Sequence, residues 1–157
     1  MIIWVIPSPV GMLELCESDD KLVAVRFGNE VASYGDPPSK LLKETTRQLN
    51  AYFAGKLKEF DLPLNPKGTP FQQTVWEQVG RIPFGSLTTY GELAAGIGNP
   101  RLARAVGQAN AKNPIPVIIP CHRVVGHNAH LTGYAGGIDR KAWLLKHEGA
   151  LYRDRLF

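Results

Sequence analysis

Thr89-Tyr90-Gly91-Glu92-Leu93-Ala94-Ala95-Gly96-Ile97-Gly98-Asn99-Pro100-Arg101-Leu102-Ala103-Arg104-Ala105-Val106-Gly107-Gln108-Ala109-Asn110-Ala111 reads as two short helices and a turn. Thr89 with Glu92 forms a capping box, which satisfies the first backbone donors of a helix. Asn99-Pro100 starts the next helix, with an N-cap side chain followed by proline at the first helical position. Gly96 and Gly98 fall between them, and helices joined in this way read as a helix-turn-helix. On the second helix Leu102, Val106 and Ala109 share an inward face, while Ala103, Arg104, Gly107 and Gln108 share the other. A major-groove reader normally carries several long polar side chains. This small outer face instead permits close backbone approach, as a narrow minor groove requires. It fits equally well a helix packed against a neighbour with Arg104 solvated.

Upstream, Thr69-Pro70-Phe71-Gln72 is another capping box, for a helix running to about Val79. Pro83-Phe84-Gly85 is a turn. Asn65-Pro66-Lys67-Gly68 reads as a linker and divides the chain into residues 1–65 and 66–157. In the first part, Leu13, Leu15 and the run Leu22 to Phe27 are strand-like, with a turn at Asp19-Asp20 that makes a hairpin. After Pro37-Pro38-Ser39, Leu42, Leu49 and Phe53 recur at helical spacing, and Gly55 ends that helix. Phe60, Leu62 and Leu64 alternate as one more strand does. Nothing in this part carries chemistry; Cys16 lies in an apolar run and reads as core.

The chain has 157 residues, enough for one ordinary domain or two small ones. With 44% hydrophobic and 20% charged residues it is globular, which excludes a disordered or collagenous chain. No apolar run approaches the ~18 residues of a membrane helix, and Met1-Ile2-Ile3-Trp4-Val5-Ile6-Pro7 lacks the basic region of a secretory signal. Two cysteines make no disulfide framework, so a reducing, cytoplasmic location is the simpler reading. The net charge of +4 is unevenly placed. Residues 1–65 carry 7 Lys/Arg against 9 Asp/Glu, and residues 66–157 carry 11 against 5. The second part is therefore where an anionic partner such as nucleic acid would bind, unless its charge is only a solvated face.

Val117-Ile118-Ile119 reads as a buried strand, leading into Pro120-Cys121-His122-Arg123-Val124-Val125. A thiol beside an imidazole and a guanidinium sits in an electropositive setting, which favours the nucleophilic thiolate. Neighbours on an extended chain point to opposite sides. Cys121 and His122 therefore need a turn, which Pro120 can supply, or a bridging water. The alternative is a structural cysteine beside a surface histidine. Cys121, His127 and His130 invite a metal reading, but Cys-x5-His-x2-His matches no common zinc pattern. Thr132-Gly133-Tyr134-Ala135-Gly136-Gly137 could admit a flat ligand close to its backbone, or be only a connector. Asp139 opens a last helix that ends at Glu148-Gly149. A carboxylate near a helix C-terminus is disfavoured by the dipole. That makes a cationic partner such as His122 attractive for Glu148, beside the alternative of a solvated surface residue.

Residues 69–149 resemble the O6-alkylguanine-DNA alkyltransferases, also called methylated-DNA–protein-cysteine methyltransferases. The resemblance rests on Pro120-Cys121-His122-Arg123-Val124-Val125, with Tyr90-Gly91-Glu92-Leu93-Ala94, Gly98-Asn99-Pro100, Ala103-Arg104-Ala105-Val106-Gly107 and Asn113-Pro114-Ile115-Pro116 before it. Gly133-Tyr134-Ala135-Gly136-Gly137 and Trp143-Leu144-Leu145-Lys146-His147-Glu148 follow in matching order and spacing. The resemblance implies an α+β protein: an N-terminal ribonuclease-H-like α/β lobe and a C-terminal helical lobe with a winged-helix-like helix-turn-helix.

It also implies direct repair of O6-alkylguanine, and of O4-alkylthymine, in duplex DNA. Cys121 would accept the alkyl group once, after base flipping. His122 would deprotonate it through a water, Glu148 would hold the imidazole, and Asn113 would brace the segment. Tyr90, Val124, Tyr134, Ala135 and Gly136 would hold the base. Arg104 would fill the gap in the stack, and Asn99, Thr89, Gly107 and Arg123 would join it on the DNA, in the minor groove. No cofactor and no metal would be needed, and the protein would act as a monomer away from membranes, with cooperative loading left open. The rival from another class is an alkyltransferase-like protein that binds the lesion without reacting; such relatives lack the cysteine that stands here at Cys121. Ala135 replaces the family's frequent serine, and His127-Asn128-Ala129-His130 replaces its usual small turn.

Overall fold

The computed structural model describes residues 1–28, 38–126, 134 and 136–150. The chain is α+β, and its contacts divide it into Met1–Lys67 and Gly68–Phe157.

In the first unit, β1 (Ile2–Ile6), β2 (Met12–Ser18) and β3 (Lys21–Gly28) form an antiparallel sheet in that order. Leu15 lies opposite Trp4 on one side and Val25 on the other. Asp19 and Asp20 have φ of 52° and 60°, the left-handed pair that closes a tight hairpin, and aspartate tolerates that region. Helix α1 (Lys40–Phe53) is capped by Ser39, which accepts from the Leu42 N–H and donates to the buried Glu17 carboxylate. Its buried stripe of Leu42, Leu49 and Tyr52 belongs to the side that packs on β2 and β3. The run from Phe60 to Leu64 is not a strand. It makes a single parallel bridge, Leu64 to Leu22, because Pro63 has no N–H to extend a ladder.

In the second unit, α2 (Pro70–Gly80) begins with a complete capping box between Thr69 and Gln72. It packs against α3 (Tyr90–Ile97) and α4 (Ala103–Ala111), and Trp76 Nε1 donates to the Ala109 carbonyl at 2.9 Å. Thr89 caps α3, but the Glu92 carboxylate accepts from the Thr89 hydroxyl, so the reciprocal bond to the backbone is absent. Asn99-Pro100 opens a 3-10 turn over Pro100–Leu102 before α4 begins. Residues 117–119 are buried, yet they turn rather than extend. Prolines 114, 116 and 120 deprive the segment of ladder donors, and Val117 takes a φ of 72°. A further 3-10 turn spans Cys121–Arg123, and α5 covers Ile138–His147. Two short strands, β4 (Thr88–Thr89) and β5 (Val124–Val125), pair in parallel. Among the described residues no helix is long and apolar enough to cross a membrane.

Candidate active site

The β4–β5 pairing determines what meets what. It sets Thr89, the cap of α3, against Val125, just past the cysteine turn. Tyr90, the first residue of α3, is thereby brought near α5, where Lys141 Nζ lies 5.9 Å from its ring centre. Gly107 of α4 faces the same ring, where an added Cβ would sit 3.5 Å from Cδ1. Thr89, Tyr90, Gly91, Ala103 and Arg104 line an open cleft of about 390 Å³. Arg104 is exposed there, and Asn99 caps the turn that leads into α4.

Cys121 is buried at the start of its 3-10 turn, so Cys121 and His122 do not lie on opposite sides of an extended strand. Asn113 braces the approach: its Nδ2 donates to the Ile119 carbonyl at 2.8 Å and its Oδ1 accepts from the Ile115 N–H at 3.0 Å. Asn110 Nδ2 donates to the Cys121 carbonyl itself at 3.1 Å. His122 is wholly buried, and its Nε2 lies 2.8 Å from Glu148 Oε2. An ionised carboxylate only accepts, so Nε2 carries the hydrogen and Nδ1 is a bare acceptor. Nδ1 is buried with no hydrogen-bond partner among the described residues. The Tyr134 ring stands edge-on to the imidazole at 6.4 Å.

Arg123 is placed differently from the expected DNA contact. It is only 6% exposed. Nε and Nη2 donate to the two Glu148 oxygens at 2.8 and 3.0 Å, Nη1 donates to the Ile82 carbonyl at 2.6 Å, and the guanidinium lies 5.8 Å from the Phe84 ring centre. A guanidinium buried here, with all three nitrogens donating inside the protein, is not placed to meet a phosphate. The same arrangement corrects the expected thiolate. The positive charge of Arg123 is spent on Glu148, and burial pushes the Cys121 thiol up to about 11, against smaller opposing pulls from Asn113 and Lys141. Burial lowers His122 below its usual value, outweighing the bond to Glu148. Burial alone would raise Glu148, but the hydrogen bonds from His122 and Arg123 prevail and hold it at about 2. The resting site is therefore a neutral thiol, a neutral imidazole and a carboxylate.

Two residues here went unnoticed in the sequence, Asn110 and Lys141. Lys141 has no exposed surface, and its Nζ donates to the Val124 carbonyl at 2.6 Å. Burial lowers its pKa to about 8. The signal available was its position in α5, four residues before Leu145 on the buried side of the helix. Gly136 accepts from Arg140 at 3.0 Å, and Tyr134, Gly136, Gly137, Ile138, Asp139 and Arg140 line a second open cavity of about 610 Å³. Ala135, His127 and His130 lie outside the described residues. Among the described residues no group of three His, Cys, Asp or Glu side chains could hold a metal ion.

Residues 70–150 match the family model of the 6-O-methylguanine DNA methyltransferase DNA-binding domain, and residues 1–66 match that of its ribonuclease-like domain. The chain belongs to the 6-O-methylguanine DNA methyltransferase family. It is 49% identical over 148 residues to the methylated-DNA–protein-cysteine methyltransferase of Methanosarcina acetivorans, covering 91% of this chain and 95% of that one. The constitutive methylated-DNA–protein-cysteine methyltransferase of Bacillus subtilis is 42% identical over 157 residues, covering 94% and 95%. The crystal structure of Mycobacterium tuberculosis OGT in complex with DNA is 45% identical, with a TM-score of 0.84 over 97% of this chain and 92% of that one. The stretch of this 6-O-methylguanine DNA methyltransferase family member that matches the DNA-binding domain, residues 70–150, includes Cys121.

Proposed function

We infer that this methyltransferase repairs DNA by moving the alkyl group of O6-alkylguanine, and of O4-alkylthymine, onto Cys121 in a single turnover. The observation that carries the reading is the buried pair His122–Glu148, with the bare Nδ1 of His122 beside a buried Cys121. A thiol held near 11 attacks nothing until its proton is removed at the moment of reaction. His122 takes that proton through a water, and the Glu148 carboxylate stabilises the imidazolium that results. The sulfur electron pair then forms the S–C bond as the O6–C bond breaks, and guanine leaves with that bonding pair. Tyr90 donates a hydrogen bond toward the charge on the leaving base, and Lys141 adds a buried cation nearby. The product is a thioether, a poor leaving group, so the thiol is not regenerated. The alkyl donor is the DNA itself, and the balance needs no cofactor.

The alkylated oxygen points into the duplex, so the base must leave the stack, at a cost of a few kcal/mol. The cleft of Thr89, Tyr90, Gly91, Ala103 and Arg104 supports a minor-groove approach: its walls are small apart from Tyr90 and Arg104. Arg104 fills the vacated place in the stack. The flipped base lies against Tyr90 and Tyr134, and the Val124 carbonyl reads its edge; Asn99, Thr89 and Gly107 shape the contact with the backbone. One monomer suffices, since every group in this scheme comes from one chain. The test is titration with duplex carrying radiolabelled O6-methylguanine. Label should transfer until one methyl is bound per chain and then stop, with a second dose of DNA adding none; label remaining entirely on the DNA contradicts the reading.

A further inference from the structure

Two buried acceptors beside Cys121 have no donor among the described residues: His122 Nδ1 and Asn110 Oδ1. Asn110 lies next to the end of α4 and is 1% exposed. Its Nδ2 donates to the Cys121 carbonyl. Oδ1 and Nδ2 share one carbon, so Oδ1 lies within a few ångströms of that carbonyl. The carbonyl carbon is in turn bonded to the His122 nitrogen. Both acceptors therefore belong to side chains tied to the Cys121–His122 peptide unit, one by a hydrogen bond and one covalently. A buried acceptor without a donor is costly, and two acceptors need two hydrogens. The thiol has only one to offer. A water supplies two, keeps lone pairs free to accept, and commonly binds such groups in protein interiors.

We propose that Asn110 is a positioning residue for the proton transfer: its Oδ1 and His122 Nδ1 accept the two hydrogens of one water, whose oxygen accepts the Cys121 thiol hydrogen. This rests on the alkyl-transfer reading given above. As the S–H bond breaks, its proton passes to the water oxygen and the water's own proton passes to Nδ1. The electron pair stays on sulfur. Cys121 becomes a thiolate, His122 an imidazolium against Glu148, and the water is restored. Asn110 neither gains nor loses a proton; its bond to the second hydrogen keeps the first aimed at Nδ1. An aliphatic side chain at this position would fill the space and leave the water free to turn.

The test is the single-turnover rate of methyl transfer from O6-methylguanine duplex to Cys121, measured from pH about 7 to about 10. The charged and titratable groups around Cys121 are His122 and Arg123 on its own turn, Lys141 of α5 and Glu148 just after it, Tyr134 against the His122 ring, and Tyr90 of α3 beyond Lys141. All are present in both parent and variant, so the ratio of rates reads what changes at Asn110. Asn110→Leu should transfer about tenfold more slowly than the parent near neutral pH. The gap should close as pH climbs toward the thiol's value of about 11, because hydroxide then removes the proton without the relay. Asn110→Ser, which keeps an acceptor on a shorter arm, should show a smaller gap with the same pH trend, and it carries the test if the leucine variant does not fold. A gap of equal size at every pH, or no gap in a folded variant, overturns the proposal and leaves Asn110 as a brace for the Cys121 carbonyl. Absence of transfer by the parent at every pH overturns the alkyl-transfer reading itself, and the proposal with it.

Discussion

His122 and Arg123, neighbours in the chain, share one oxygen: Glu148 Oε2 accepts from His122 Nε2 at 2.8 Å and from Arg123 Nη2 at 3.0 Å. A single buried carboxylate thus serves both the proposed base and a fixed cation. Arg123 makes the buried charge of Glu148 tolerable, and the turn at residues 82–85 holds Arg123 in place. The Ile82 carbonyl accepts from it, and Phe84 covers it. At Gly85, with φ of 82°, an added Cβ would stand 3.2 Å from the Glu148 carbonyl.

Removing one partner of a buried pair strands the other. Arg123→Ala should therefore cost about 3–5 kcal/mol of stability, read from urea unfolding. The slope of log DNA affinity against log salt should stay as in the parent. A slope reduced by about 0.9 would instead put Arg123 on a phosphate.

Acid should destabilise the protein in a window set by this pair. Glu148 is held at about 2 against 4.5 when unfolded, and His122 lies below its unfolded 6.5. In both cases the unfolded state binds more protons, so stability falls as pH drops below about 6.5 and keeps falling through 4.5 toward 2. Thermal midpoints between neutral pH and the acid limb measure this, and Glu148→Gln should flatten the lower part of the fall. A parent midpoint unchanged across that range would contradict the assigned shifts.

On the alkaline side two groups oppose each other. Lys141 loses its proton near 8 when folded and 10.5 when unfolded, so it adds stability as pH rises through that range. Cys121 keeps its proton to about 11 when folded and 9 when unfolded, so it removes stability between those values. Cys121→Ala should therefore gain stability relative to the parent between pH 9 and 11. Calorimetry of the two proteins side by side reads the difference, and a constant difference would mean that the thiol is not buried in solution. The same variant should bind lesion DNA without transferring the alkyl group.

Arg104 is exposed at the cleft and touches no group of the proposed relay. Arg104→Ala should slow transfer from duplex by tenfold or more, on the order of the cost of an unstacked base, while sparing transfer from the free alkylated base. Equal losses on both substrates would remove its proposed place in the stack.

The helices were legible because their signals are local. Thr69 with Gln72, Thr89 and Asn99-Pro100 each announce a start within four residues, and the structure places caps at all three. The strand expected at 117–119 was not, because an apolar run describes burial and not extension, and the flanking prolines decide the rest. The two-residue pairing of β4 with β5 joins segments 36 positions apart, too short and too distant to read from either one. At the site, Arg123 and the thiol misled for one reason. Adjacent charges in sequence suggest an open electropositive patch, whereas here the tertiary fold spends the cation on Glu148 and buries Cys121 away from bulk solvent. Lys141 and Asn110 carry no motif; only their burial and their bonds to the Val124 and Cys121 carbonyls reveal them.

Peptide mass mapping after incubation with O6-methylguanine duplex shows whether Cys121 itself receives the alkyl group. The expected result is a gain of about 14 Da, the mass of one methyl replacing hydrogen on a nucleophilic thiol, confined to the peptide containing Cys121 and saturating at one per chain. DNA binding without any mass gain, or a methyl found on another residue, would contradict it.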